Sequence, residues 1–300
     1  MRPPGDEPAG ALGAAPGPAA RPAPAHPAPV ASRPLPRTFT LPSWLKPLGY
    51  AGLYANLLLL GLMSAVYNVG ALLLLPLLPR APGRRWGRAG IAHGYRLYWW
   101  LASLTGMLRI DNDVLAALKD ERGLIVVSNH PGMLDALLLV ARLPRSFCIM
   151  KAGLVRNPFL GSGARLARYI RNDSAGGMLR LAVDELRQGG QLVIFPEGTR
   201  TERRPMNAFK PVVTLISKQA GAPIQTVFID TDSPFLGKGW PIWRLPPLPI
   251  AYRVRLGQRF APARDTLAAL HEVEHYMAAH VHAAPLPLSA AAADRVPPAP

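Results

Sequence analysis

Cysteine is almost missing from this sequence: Cys148 is the one in 300 residues. A lone thiol excludes an intramolecular disulfide and fits a reducing compartment. Inside the apolar stretch FCIM it reads as a small buried hydrophobe, not a nucleophile. Acidic residues are scarce as well, 18 against 34 Lys and Arg, which leaves a formal net charge of +16. That surplus points to an anionic partner, whether nucleic acid, an acidic membrane face or a phosphorylated substrate. Nucleic acid is disfavoured, because there is no C2H2 pattern, RNP-like segment or basic region with heptads. No internal repeat of the solenoid kind is present either.

Charge of either sign is absent from Pro47 to Pro79, PLGYAGLYANLLLLGLMSAVYNVGALLLLPLLP. At about 1.5 Å per residue, roughly 20 such positions cross a hydrocarbon layer of about 30 Å, so a membrane helix is expected. The run starts too late and lasts too long for a cleaved signal peptide. Arg80, Arg84, Arg85, Arg88 and Arg96 follow it, whereas Arg33, Arg37 and Lys46 precede it. This bias puts the downstream domain on the cytoplasmic side of the inner membrane. Next comes WGRAGIAHGYRLYWWLASLTGMLRI, whose Tyr95, Tyr98, Trp99 and Trp100 stand among arginines and suggest an interfacial helix. The ends are rich in Pro, Ala and Gly and cannot bury enough surface to offset chain ordering. The expected organisation is therefore a disordered tail over 1–41, membrane-anchoring and interfacial helices over 42–110, a catalytic domain over 111–283 and a second tail over 284–300.

After Arg109 short apolar runs read as strands, LIVVS, SFCIM, QLVIF, IQTVFI and YRVRLG, with helical patterns MLRLAVDELRQGG and FKPVVTLISKQAG among them. Such alternation implies an α/β fold, a mostly parallel sheet flanked by helices. Two polar segments lie just beyond strand ends, where sheets of this kind place chemistry. One is SNHPGMLD, Ser128 to Asp135. Pro131 and Gly132 turn the chain after His130, so Asp135 can fold back onto the imidazole. A carboxylate on one ring nitrogen fixes the tautomer while the other accepts a proton. The second is FPEGTR, where Glu197, Gly198, Thr199 and Arg200 offer a carboxylate, backbone N–H groups, a hydroxyl and a guanidinium. That set suits an anionic substrate, Arg200 presenting its planar fork to phosphate.

Together, Asn129-His130, four residues and Asp135 (an HX4D motif), then Phe195 to Arg200, resemble the glycerolipid acyltransferases, the family of bacterial 1-acyl-glycerol-3-phosphate acyltransferase. The resemblance covers roughly Leu124 to Asp230. It implies that His130 is the base activating an acceptor hydroxyl, that Asp135 orients it, and that Asn129, Glu197, Gly198, Thr199 and Arg200 serve acceptor binding. Lys151 and NPFLG match the family's intervening segment. The family then has a strand ending in a phosphate-binding arginine; here Asn172 holds that place and Arg171 stands one position early. Thr226 replaces the second proline of the family's Pro-Ile-Val-Pro-Val. The implied donor is a thioester of coenzyme A or acyl carrier protein, with no other cofactor and no metal.

HEVEH, His271 to His275, fits the zinc-protease spacing H-E-x-x-H, but the third ligand would fall on Val281, so a solvated helix face is the expectation. The function expected is O-acyl transfer from a thioester to a membrane lysophospholipid. The alternatives are the same chemistry on a lyso-aminolipid or secondary-metabolite lipid, or an inactive lipid-binding homologue.

Overall fold

The computed structural model describes residues 35–202 and 205–282. Most of both expected tails lies outside these residues. Residues 35–41 are described, and Phe39 and Leu248 exchange backbone hydrogen bonds of 2.7 and 2.9 Å. The chain thus joins the fold before position 42, where its globular part was expected to begin.

Seven strands form one sheet in the order β1-β7-β6-β2-β5-β3-β4. They are β1 (Leu108–Asp111), β2 (Leu124–Ser128), β3 (Ser146–Met150), β4 (Ile170–Arg171), β5 (Gln191–Ile194), β6 (Ile224–Asp230) and β7 (Ile250–Phe260). All pairings are parallel except β6 with β7. The mostly parallel α/β sheet expected from the sequence is therefore present. Every residue of β2, β5 and β6 is buried. This is why LIVV of β2 and LVI of β5 read as unbroken apolar runs: helices cover both sheet faces, so no alternation survives.

The helices are α1 (Lys46–Leu74), α2 (Arg80–Leu104), α3 (Asp135–Val140), α4 (Gly161–Leu166), α5 (Ala175–Arg187), α6 (Val212–Ala220) and α7 (Thr266–His280). One face of the sheet packs Val126 and Val193 against Leu53 of α1, Tyr98 and Trp99 of α2, and Leu138 and Leu139 of α3. The other packs Ile125 and Val127 against Leu186 of α5, Val213 and Ile216 of α6, and Val273 and Met277 of α7. Local chemistry sets the ends of these helices. Ser174 and Asp265 accept from Gly177 and Ala268 backbone N–H groups at the starts of α5 and α7, and Gly221 closes α6 at φ +63°.

Ser43–Leu74 is, among the described residues, the one helix long and apolar enough to cross a membrane. It is two-sided. Leu58, Leu62, Val66 and Val69 are 60–72% exposed. The opposite side carries the polar residues: Asn56 Nδ2 donates to the Thr105 hydroxyl, and Asn68 Oδ1 accepts from the Gly163 backbone N–H. From Tyr54, bonded to the Trp243 carbonyl, to Asn68 the helix lies against the domain over about 20 Å.

The aromatic residues of α2 divide. Tyr98 and Trp99 are buried in the core, Tyr95 is partly buried against it, and Trp100 and Trp86 are exposed. The expectation that all four aromatics near Tyr95–Trp100 lie at a lipid interface is corrected by the helical period, which turns two of them inward. Arg84 and Arg88 are likewise spent on Glu185, at 3.0 and 2.6 Å, so they are fold contacts and not flanking charges. The motif HEVEH lies on α7, with His271, Glu272 and His275 exposed and Val273 buried.

Candidate active site

His130 follows β2 by two residues, at the sheet's central edge. Its Nδ1 lies 2.8 Å from Asp135 Oδ2, the same oxygen that accepts the Gly132 N–H at 2.8 Å. The tight turn at Pro131 and Gly132 brings Asp135, the first residue of α3, back over the ring. The carboxylate is fully buried, whereas the imidazole is 19% exposed. Burial pushes the Asp135 carboxyl up, against the opposing pull of the imidazole, the Gly132 N–H and the Arg200 guanidinium. With Nδ1 on the carboxylate, Nε2 is the ring nitrogen open to a substrate hydroxyl. Phe195, from the second motif, stacks on the imidazole at 4.1 Å between ring centres and fixes its plane.

The two motifs are stitched together through the backbone of His130. Its N–H donates to Glu197 Oε1 at 3.1 Å, and its carbonyl accepts the Thr201 N–H at 2.8 Å. Glu197 is buried and also accepts from the Thr201 hydroxyl and the Asn207 N–H. Burial raises its carboxyl, and these hydrogen bonds offset part of the rise. Glu197, expected among the acceptor contacts, therefore stands behind the base and holds it in place. Asn129 is reassigned in the same way. Its amide clamps both backbone groups of Ile229 in β6, at 2.9 and 2.8 Å, and it is buried off the wall of the cavity described next.

A cavity of about 1010 Å³ opens at His130 and runs under α1 and α2. Apolar side chains such as Leu60, Met63, Ile91 and Leu137 make up much of its wall. Cys148 also lines it; burial pushes that thiol up to about 12, so it is not a thiolate. Toward the second motif the lining turns cationic, with Lys151, Arg200, Lys210 and Lys238 beside Gly198 and Thr199. Among the described residues no Asp or Glu lines the cavity, although Glu202 pairs with Lys238. Arg200 Nη1 donates to the Leu236 and Gly237 carbonyls at 2.9 and 3.0 Å, which sets the guanidinium at the cavity wall.

Arg171 is not brought into this cavity. It pairs with Asp173 at 2.9 Å and is 56% exposed, while its neighbour Asn172 lines the cavity. The reason is strand alternation: in β4 successive side chains point to opposite sides, so a shift of one position turns the arginine out. Lys210 was not read from the sequence as a site residue. Gly198, at φ +71°, lets its backbone come so near Lys210 that an added Cβ would sit 2.6 Å from Nζ. A lysine following the apolar Phe209 carries no local mark of that approach.

Comparison with known proteins fits this geometry. Residues 109–230 match the family model described as Acyltransferase. The chain carries an acyltransferase-family segment, with both motifs inside it. It is similar to the lyso-ornithine lipid O-acyltransferase of Pseudomonas aeruginosa, 32% identical over 152 residues, 46% of this chain and 58% of that protein. It also resembles the 1-acyl-sn-glycerol-3-phosphate acyltransferase of the same organism, 25% identical over 185 residues, 60% of this chain and 72% of that protein. The match thus spans less than two thirds of the first relative's length. In fold it is similar to the 1-acyl-sn-glycerophosphate acyltransferase PlsC of Thermotoga maritima, with a TM-score of 0.53 and 20% identity over 73% of this chain and 93% of that one.

Proposed function

We propose that this protein is a membrane-bound O-acyltransferase that moves a fatty acyl group from a thioester to the hydroxyl of a lysophospholipid such as 1-acyl-glycerol-3-phosphate. The observation that carries the reading is the His130–Asp135 contact of 2.8 Å at the mouth of a largely apolar cavity. Nε2 takes the proton of the acceptor hydroxyl as its oxygen attacks the thioester carbonyl. Asp135 stabilises the imidazolium so formed. The tetrahedral intermediate then expels the thiolate, which recovers a proton from the imidazolium. The thioester of coenzyme A or acyl carrier protein is the only co-substrate this scheme uses.

Lys151, Arg200 and Lys210, with Lys238 held by Glu202 beside them, favour an anionic acceptor head. A second reading, a lyso-aminolipid acceptor, draws on Asn172 in place of the family's arginine and on the similarity to the lyso-ornithine lipid enzyme. An acceptor series of matched chain length, lysophosphatidic acid against lyso-ornithine lipid, separates the two by kcat/KM.

The exposed apolar side of α1 supports membrane attachment, and the contacts along about 20 Å of its other side support a helix lying in the plane of one leaflet. The acyl cavity reaches Leu60 and Met63 of that helix, a direct path for a lipid chain. Arg80, Arg85 and Arg96, exposed after α1, favour the cytoplasmic face of the inner membrane. Carbonate-resistant sedimentation with membranes tests the attachment, and recovery of the full chain in the soluble fraction without detergent contradicts it.

A further inference from the structure

We propose that the loop from Trp240 to Leu245 is a second membrane contact, in which Ile242 and Trp243 enter the headgroup layer of the bilayer beside the start of α1. The inference rests on the membrane attachment proposed above and adds to it a separate surface, contributed by the catalytic domain itself.

Ile242 and Trp243 are 51% and 69% exposed, although both are large and apolar. Their neighbour Trp240 behaves differently. It packs against the core, its indole N–H donates to the Arg244 carbonyl, and the Arg244 guanidinium lies 4.8 Å from its ring centre. A turn closed by the Arg244 N–H on the Pro241 carbonyl, at 3.1 Å, leaves Ile242 and Trp243 at its tip. The loop is thus held by its own contacts, with its two apolar side chains pointing away from the core that Trp240 joins.

The position of the tip decides what covers it. Tyr54 of α1 donates to the Trp243 carbonyl, and α1 comes so close at Gly49 that an added Cβ would meet Leu245 at 2.8 Å. The loop therefore lies beside the first turns of α1, where Leu48 and the preceding Trp44 are 71% and 76% exposed, and adds a second apolar surface at that end of the helix. Neither Pro42–Leu60 nor Ser233–Tyr252 contains an acidic residue, whereas Lys46 and Arg244 stand among them and Lys238 pairs with Glu202. Exposed tryptophans beside Lys46 and Arg244 suit the headgroup level of an anionic membrane, where the indole keeps its N–H wet and its ring shielded. A protein partner of ordinary composition would offer such a patch mixed charge.

The full chain with vesicles of phosphatidylethanolamine and phosphatidylglycerol carrying bromine on the acyl chains near the headgroup provides the test. Bromine quenches tryptophan within contact range, so the quenched share of fluorescence is compared among wild type, Trp243→Phe and Trp44→Phe. The expected result is a smaller quenched share in both variants, and a vesicle partition coefficient roughly tenfold lower for Ile242→Ser with Trp243→Ser, whose activity in detergent micelles is unchanged. An unchanged quenched share in Trp243→Phe with a reduced one in Trp44→Phe overturns the proposal and leaves α1 as the anchor. No quenching in wild type removes the attachment itself. Shielding of Trp243 without lipid as protein concentration rises also overturns it, in favour of a second copy of the chain.

Discussion

Glu197 holds the backbone of His130: its Oε1 accepts the His130 N–H at 3.1 Å, across the gap between two strand ends. Because Thr201 closes on the His130 carbonyl from the same segment, the second motif sets the position of the base as well as the cationic wall. Loss of the Glu197 carboxylate should therefore act on kcat. In Glu197→Gln the new amide N–H faces a donor, either the Asn207 N–H or the pair at His130 and Thr201, so at least one bond is lost. The expected result is a lower kcat with an unchanged acceptor KM, in steady-state assays over acceptor concentration. A raised acceptor KM with intact kcat would assign Glu197 to the acceptor instead.

His130→Ala should abolish most acyl transfer while the chain stays folded and membrane-bound. Losing a positioned general base costs about 10²–10⁴ in rate. Circular dichroism and sedimentation with membranes check the fold and the attachment. A variant with near-wild-type kcat contradicts the base role.

Asp135→Asn separates activity from stability. An Asn at this site either puts its oxygen where Oδ2 sits, keeping Gly132 N–H and Nδ1 but losing the charge that stabilises the imidazolium, or puts its NH₂ there, facing the Gly132 N–H and imposing the tautomer whose Nε2 carries a proton and cannot act as base. Activity should fall by about 10⁴ on that precedent. Stability should not fall. Burial raises the Asp135 carboxyl in the folded state, so the folded state binds the proton more tightly than the unfolded chain does. The ionised group thus costs stability above its folded pKa, and the cost disappears as pH drops through the window down to the ordinary carboxylate value of about 3.9. The variant's Tm should equal or exceed wild type at pH 7, with any excess shrinking toward pH 4. A large loss of Tm at pH 7 contradicts this assignment of the buried charge.

The cationic wall predicts a graded series. Arg200→Lys keeps charge but loses the planar fork, and a charge-assisted hydrogen bond of about 1.5–3 kcal/mol corresponds to roughly a 10- to 150-fold rise in acceptor KM. Lys210→Ala should raise the same constant. Arg171→Ala should not, because that side chain pairs with Asp173 outside the cavity. Donor KM should hardly move in any of them. If Arg171→Ala alone raised acceptor KM, the placement of β4 would be wrong.

Much of this was legible in the sequence. The strands that flank the site carry continuous apolar runs, and His130 and Glu197 follow two of them closely enough to be read as one constellation. β1 was not legible, because Met107–Ile110 continues an aromatic and basic stretch that reads as helix. Nor were the roles within the second motif: whether a carboxylate faces substrate or a backbone N–H depends on which strand lies beside it, and spacing does not carry that. The two-sidedness of α1 escaped for a related reason. Its run has no charge, so the inward Asn56 and Asn68 did not break the pattern of a membrane span. Lys210 reaches the site only because Gly198 takes a left-handed backbone, a property of the folded loop.

The most direct measurement is release of free thiol from a long-chain acyl thioester by purified protein in detergent micelles, with and without a lysolipid acceptor. Coenzyme A and acyl carrier protein donors would be run against lysophosphatidic acid and lyso-ornithine lipid. The expected result is acceptor-dependent thiol release matched by a diacyl product, lost in His130→Ala. Release that ignores the acceptor, or persists in His130→Ala, contradicts the account.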